Sequence, residues 1–193
     1  MKQIIESSAE FQVTGEAEYG NEVLELLEES TYDLVILDIS LPDRSGLDIL
    51  KQIESLYPDL PVLVLSIHPE ELYARRALNA GASGYLTKRS APDELVKAIR
   101  NIAAGRKYIT SSMAETLVTW MNEENMPLHE TLSDREYQVL EYIGKGYSLN
   151  KIAKQLNLSA NTVSTYRSRI LEKMGLQNNA ELIYYAVQHG LVE

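Results

Sequence analysis

The chain has no cysteine. A disulfide scaffold, a thiolate zinc site and a cysteine nucleophile are therefore excluded, and the absence suits a cytoplasmic protein. No apolar run approaches the ~18 residues of a membrane-spanning helix, so no membrane partner is expected. The opening residues, Met1-Lys2-Gln3-Ile4-Ile5-Glu6, have no apolar h-region, and no secretory signal is read there. The three histidines, His68, His129 and His189, stand far apart in the sequence, against a histidine-rich metal site. No glycine-rich phosphate loop follows any candidate strand, against a nucleotide-binding enzyme. Positive charge is scarce. The 18 Lys and Arg against 28 Asp and Glu leave a net −10, which taken alone argues against nucleic acid.

What is present is ordinary globular composition, 45% hydrophobic and 24% charged over 193 residues. Wholesale disorder is excluded, and one or two domains are expected. The charge is unevenly spread. Residues 1–110 hold 18 acids and 11 bases, 111–127 hold Glu115, Glu123 and Glu124 with no base, and 128–193 hold seven of each sign. Within the last part, Lys145, Lys151, Lys154, Arg167, Arg169 and Lys173 face only Glu172, a local +5. A solvated helix face is the alternative reading of such a run.

The first part alternates strands and helices. Phe11–Ala17 reads as a strand by its period of two, and Glu22–Glu29 as a helix. The runs Asp33-Leu34-Val35-Ile36-Leu37 and Pro61-Val62-Leu63-Val64-Leu65 are continuously apolar, as strands buried on both faces are. Leu47–Tyr57, Glu70–Ala80 and Pro92–Ala104 read as helices, and Gly84-Tyr85-Leu86 as a short strand. The order implies an α/β layer structure with a parallel sheet. Ligand chemistry in such sheets gathers at the carboxyl ends of the strands, where Asp38, Ser66 and Lys88 fall.

A helix opening at Ser111 or Ser112, with a capping box Ser112-Met113-Ala114-Glu115, runs through Trp120, read as a packing residue, and ends in 122–127. The remainder is all helical. A capping box Ser133-Asp134-Arg135-Glu136 opens one helix, Leu149–Leu156 is a second, and Asn157-Leu158-Ser159 is a tight turn. Ala160–Met174 is a third, and a last helix runs from Ala180 through His189. Two short helices joined by a three-residue turn form a helix-turn-helix whose second member suits the DNA major groove. That helix turns Val163, Ile170 and Met174 inward. It leaves Asn161, Ser164, Thr165 and Ser168 outward beside Arg167 and Arg169, a face suited to base edges and phosphates.

On these residues the chain resembles a known family. DLVILDISLPDRSG at 33–46 and LSIHPEELYARRALNAGASGYLTK at 65–88 resemble the receiver domain of NarL/FixJ-type response regulators. LSDREYQVLEYIGKGYSLNKIAKQLNLSANTVSTYRSRILEKMGLQNNAELIYYAVQHGLV at 132–192 resembles a LuxR-type helix-turn-helix. The resemblance implies a doubly wound, flavodoxin-like parallel sheet over 1–106. It implies a linker with one helix over 107–127 and a small four-helix DNA-binding domain over 128–193. Asp38 matches the phosphoacceptor that takes a phosphoryl group from a sensor histidine kinase. Ser66 and Tyr85 match the switch hydroxyl and switch aromatic, and Lys88 the lysine that pairs with the phosphorylated carboxylate. Mg²⁺ is the implied cofactor, with Asp38 and the Ser40 carbonyl as two of its ligands. Phosphoryl transfer calls for such a set: a nucleophile, a divalent ion and cationic help for the equatorial oxygens. Arg89 stands where the family often has Pro, so a cis peptide there is not expected.

In the family, a first strand and an acidic pair that holds Mg²⁺ precede the segment matching QIIESSAEFQV. That strand lies between those matching Phe11–Ala17 and Asp33–Leu37. A chain beginning at Met1 is expected to lack both, with two unpaired edges inside the sheet and an incomplete metal site. A start codon placed too late, a real truncation and a deliberate shortening each explain this. The first is preferred because Met1–Ser7 reads as the end of an amphipathic helix.

For the DNA end, Lys151, Thr162, Arg167 and Arg169 are expected near phosphates. Ser164, which replaces a lysine of many relatives, is expected near base edges with Thr165 and Ser168. Leu182, Ile183, Ala186 and Val187 form an apolar stripe expected to pair two copies into a homodimer on double-stranded DNA. The expected function is a phosphorylation-controlled transcription factor, not an enzyme. A pseudo-receiver regulated without phosphate is the second reading. An aspartyl-phosphate hydrolase is the third, disfavoured because Ser40 stands where such enzymes resemble one another in a second Asp.

Overall fold

The structure, a computed structural model, describes residues 2–90, 92–122 and 127–192, without the side chains of Thr116 and of 119–122. The packing role expected of Trp120 and most of the expected 122–127 segment lie outside what is described. The chain divides into two compact units, Met1–Asn122 and Glu123–Glu193.

In the first unit three parallel strands, β1 (Val35–Leu37), β2 (Val62–Ser66) and β3 (Gly84–Thr87), lie in the order β1-β2-β3. Val35 pairs with Val62, and Leu63 with Gly84. The apolar run of β2 follows from its place. With a strand on each side and helices over both faces, all five of its residues are buried. Alternation sends Leu63 and Leu65 to one face, where they meet Ile5 of α1 (Lys2–Glu6) and Leu95, Ile99 and Ile102 of α5 (Pro92–Ala103). On the other side α2 (Gly20–Glu29), α3 (Gly46–Leu56) and α4 (Glu70–Asn79) pack in a row. Full burial of each such Leu or Ile contributes about 1.5–3 kcal/mol.

The expected strand at Phe11–Ala17 is not formed: the segment is irregular. A strand needs a neighbour for its ladder. Between this segment and β1 there is instead a groove of about 730 Å³, lined by Phe11, Val13, Leu26, Leu34, Ile36 and Ile99 among others. Ion pairs join Lys2 to Glu16 of this segment, and Glu10, just before it, to Arg100 at 2.9 Å. The helix α6 (Ser111–Asn122) belongs to this unit and packs on α4. It begins with the Thr110 hydroxyl accepting from the Met113 N–H at 3.1 Å, two residues before the expected cap.

The second unit is helical: a 3₁₀ turn (Leu128–Thr131), α7 (Asp134–Gly144), α8 (Leu149–Gln155), α9 (Ala160–Met174) and α10 (Asn179–Gln188). Each α-helix opens on a side-chain cap. Ser133 accepts from Glu136 N–H, Ser148 from Lys151, Ser159 from Thr162 and Asn178 from Glu181. Each such cap contributes about 1 kcal/mol. At Ser133 the capping box is complete, with Glu136 Oε2 accepting from Ser133 N–H at 2.8 Å. Gly175, left-handed at φ 66°, closes α9, a conformation that costs a residue with a Cβ. Tyr137, Leu140, Ile143, Ile152, Val163, Ile170, Leu182 and Ala186 form the core.

Candidate phosphoacceptor and nucleic-acid sites

β1 delivers Asp38 to the carboxyl edge of the sheet, β2 ends on Ser66, and Lys88 follows β3. The edge draws them together. Lys88 N–H donates to the Ser66 carbonyl at 2.6 Å, and Lys88 Nζ reaches Asp38 Oδ2 at 2.5 Å. Asp38 Oδ1 accepts from Ser40 N–H at 3.0 Å. Both carboxylate oxygens are thus engaged, yet the Asp38 side chain keeps 25% of its surface open. Ser66 is fully buried, its hydroxyl accepting from His68 N–H at 3.1 Å. Tyr85 is also fully buried, and its hydroxyl donates to the His68 carbonyl at 2.9 Å. The Lys88–Arg89 peptide is trans.

The sequence reading missed two neighbours. His68, set aside there as a lone histidine, stacks on Tyr73 and brings Nε2 to 3.4 Å from Ser40 Oγ. No spacing rule finds it, because the loop after β2 places it. Asp43 accepts from Gly20 and Asn21 N–H at 2.8 and 3.3 Å and so caps α2 from the loop after β1. Burial works to raise its carboxyl, and these backbone donors outweigh burial, holding it below the usual range.

In the second unit α9 buries Val163, Ile170 and Met174 as expected. Asn161, Ser164, Thr165, Ser168 and Arg169 are exposed and Thr162 half-buried. The hydroxyls of Thr165 and Ser168 donate to the carbonyls of Asn161 and Ser164, at 3.0 and 3.1 Å. Their lone pairs remain for accepting. Thr162 and Ser159 share a hydroxyl contact of 2.8 Å. The cations are less uniform than the sequence count. Lys173 is spent on Glu136 at 2.6 Å, and Arg167 Nε donates to Asn179, leaving it half-buried. Arg169, Lys151, Lys154 and Lys145 are exposed. Burial pushes the Glu136 carboxyl up, but the bonds from Lys173 and Ser133 outweigh it and hold the group below its ordinary value.

The expected dimer stripe is divided by the fold. Leu182 and Ala186 are fully buried in their own unit, against α7, and cannot meet a partner. A helix at ~3.6 residues per turn puts Ile183 and Val187 on a neighbouring face. Val187 is 57% exposed and Tyr184, which the sequence reading left out, 65%.

This geometry, a carboxylate and an ammonium at the edge of a parallel sheet followed by a capped helix-turn-helix, agrees with the comparisons. Residues 1–100 match the response regulator receiver domain, and 130–186 the bacterial regulatory proteins of the luxR family. The chain belongs to the response regulators that carry a LuxR-family DNA-binding domain. It is 34% identical to the response regulator UvrY of Escherichia coli (strain K12), over 99% of this chain and 88% of that protein. With the response regulator GacA of Pseudomonas aeruginosa identity is 35%, over 94% of this chain and 86% of GacA. Among solved structures, Salmonella typhimurium RcsB aligns with TM-score 0.59 and 26% identity, over 96% of this chain and 90% of that one. A structure of two RcsB dimers bound to two parallel DNAs aligns with TM-score 0.57 and 26% identity, over 96% and 89%. No helix among the described residues is long and apolar enough to cross a membrane.

Proposed function

We propose that Asp38 accepts a phosphoryl group from a sensor histidine kinase in the cytoplasm, and that the second unit binds promoter DNA as a homodimer. The receiver role falls to 1–106 and the DNA-binding role to 128–193, with 107–127 between them. The observation that carries the reading is the Lys88–Asp38 contact of 2.5 Å at the carboxyl edge of the sheet. A carboxylate oxygen attacks phosphorus, the P–N bond of the phosphohistidine breaks, and the imidazole keeps the electron pair and takes up a proton. Lys88, already on the carboxylate, follows the new charge onto the phosphoryl oxygens. Ser66 Oγ lies on the same edge, and turning it from His68 N–H toward the phosphoryl group couples the chemistry to the loop after β2. Tyr85, whose hydroxyl donates to the His68 carbonyl at 2.9 Å, ties that loop to β3.

Magnesium, which the family implies, does not fit the residues at hand. Asp38 and the Ser40 carbonyl give two oxygens against a near-octahedral set, and the described residues hold no group of three or more His, Cys, Asp or Glu able to bind a metal. On DNA, Lys151, Thr162 and Arg169 meet phosphates, with Arg167 beside them, while Ser164, Thr165 and Ser168 face base edges in the major groove. Ile183 and Val187, with Tyr184, form the contact between copies.

The test is intact-mass measurement with a phosphorylated kinase, for the native chain and Asp38→Asn. A phosphoryl adduct confined to the native chain is expected. An adduct that survives Asp38→Asn overturns the phosphoacceptor assignment. With acetyl phosphate and Mg²⁺ the 193-residue chain is expected to be barely modified.

A further inference from the structure

The end of α7 carries an aromatic pair, Tyr142 and Tyr147, to which no role has been given above. Gly146 is left-handed, φ 75°, and two backbone bonds close around it: Gly146 N–H to the Ile143 carbonyl at 2.9 Å, and Tyr147 N–H to the Tyr142 carbonyl at 3.0 Å. This is the double bond pattern of a Schellman end, in which the residue after the glycine folds back on the helix three positions before its cap. Here both of those residues are aromatic. Tyr147 stacks on Tyr142 with ring centroids 5.5 Å apart and planes at 29°. The stack fixes the Tyr147 ring without a long side chain having to be ordered. Lys151, one turn into α8, places its ammonium 3.4 Å above the centre of that ring. Lys145 stands 5.8 Å from the Tyr142 ring.

A lysine in the first turn of a helix is disfavoured by the helix dipole. The negative face of an aromatic ring offsets this and restricts an otherwise free four-carbon chain. We propose that Tyr147 is a positioning residue for DNA binding. Its ring, locked on Tyr142, holds Lys151 in advance at the place where a backbone phosphate of the duplex is met, with Lys145 as a second cation on the same platform. The proposal rests on the DNA-binding reading above and deepens it. Binding then no longer has to freeze the lysine from many rotamers, a cost otherwise charged to every phosphate contact.

The test uses the full chain and a fluorescein-labelled duplex of mixed sequence, titrated across a salt series. Tyr147→Leu is expected to weaken binding about two- to five-fold, the range of a cation over an exposed ring. Its salt slope should match the native chain, because Lys151 keeps its charge. Lys151→Ala is expected to lower the slope by about one unit. In the Lys151→Ala background, Tyr147→Leu should cost nothing more. Tyr147→Phe and Tyr147→Trp keep the ring and should bind as the native chain does. If Tyr147→Leu melts early, the Phe and Trp variants carry the test. Phe binding as weakly as Leu, Trp binding weaker than Tyr, or additive losses in the double variant each overturn the positioning role. If the native chain binds no duplex at low salt, the DNA-binding reading itself falls and takes this with it.

Discussion

The two units hold their charged groups under different constraints. In the first, one carboxylate sits at the edge of a three-stranded sheet with Lys88 on one oxygen and Ser40 N–H on the other. One long edge of β1 faces a groove of about 730 Å³. In the second, all four α-helices open on their own side-chain caps and the cations are spread over helix surfaces. A helix satisfies its backbone within its own segment and cap, whereas a strand takes its ladder bonds from neighbouring strands. The second unit is therefore locally complete, and the first depends on pairings that reach across the chain.

The strongest test of this contrast is a charge placed in the core of the second unit. Ala186→Glu buries an unpaired carboxylate against α7 and should cost about 4 kcal/mol or more, unfolding that unit. Hydrogen exchange in β2 and β3 should be unchanged. Val187→Glu, one residue on and exposed, should leave both units folded and weaken only binding by the dimer. Loss of amide protection in α7 for Val187→Glu would refute the division of the α10 stripe.

Acid should act with opposite sign on one carboxyl of each unit, Glu136 of the second and Glu70 of the first. The Glu136 carboxyl is lowered in the fold, so its contribution is present above its ordinary value of 4.5 and is lost as pH falls through the folded value. Burial raises the Glu70 carboxyl of the first unit, with the Thr110 hydroxyl opposing at 2.6 Å. Ionised Glu70 therefore costs stability above its folded value, and that cost is relieved as pH falls toward 4.5. Glu136→Gln should destabilise the second unit by about 2 kcal/mol at neutral pH and flatten its acid loss. Glu70→Gln should stabilise the first slightly, by removing that cost. Urea melts read unit by unit at neutral and acid pH check both, and an acid loss of the second unit left unchanged by Glu136→Gln would contradict the role given to Glu136.

The smallest effects concern the DNA face. Arg169→Ala should weaken specific and mixed-sequence duplexes alike and lower the salt slope by about one unit. Ser164→Ala should change preference at one base position and leave the slope alone. Arg167→Ala should act more on melting than on slope, because Arg167 donates to Asn179. A slope change for Arg167 equal to that for Arg169 would show that it turns to the duplex.

Most of the second unit was legible in its residues. The helices α7, α8 and α9 lie within a residue or two of their expected bounds, because caps such as Ser133 and Ser159 and stops such as Gly175 act within a turn. The strands β1 and β2 were legible as well from their continuous apolar runs, although only β2 is buried throughout and in β1 Val35 and Ile36 are half-buried. Phe11–Ala17 was misread. Its period of two is a local signal, but strand formation needs an adjacent edge, and the pattern does not say whether one is present.

The sequence by itself determined the order of elements and the types of side chain at the strand ends: an acid at 38, a hydroxyl at 66, an ammonium at 88. Only the tertiary structure decided which of those groups meet. It put Lys88 on Asp38, left Ser66 on His68 N–H, and brought His68 to Ser40. It also decided which cations remain free, giving Lys173 to Glu136, Arg167 to Asn179 and Lys151 to the Tyr147 ring. Periodicity and capping depend on neighbours within about four residues, whereas these contacts join parts of the chain that only packing brings together.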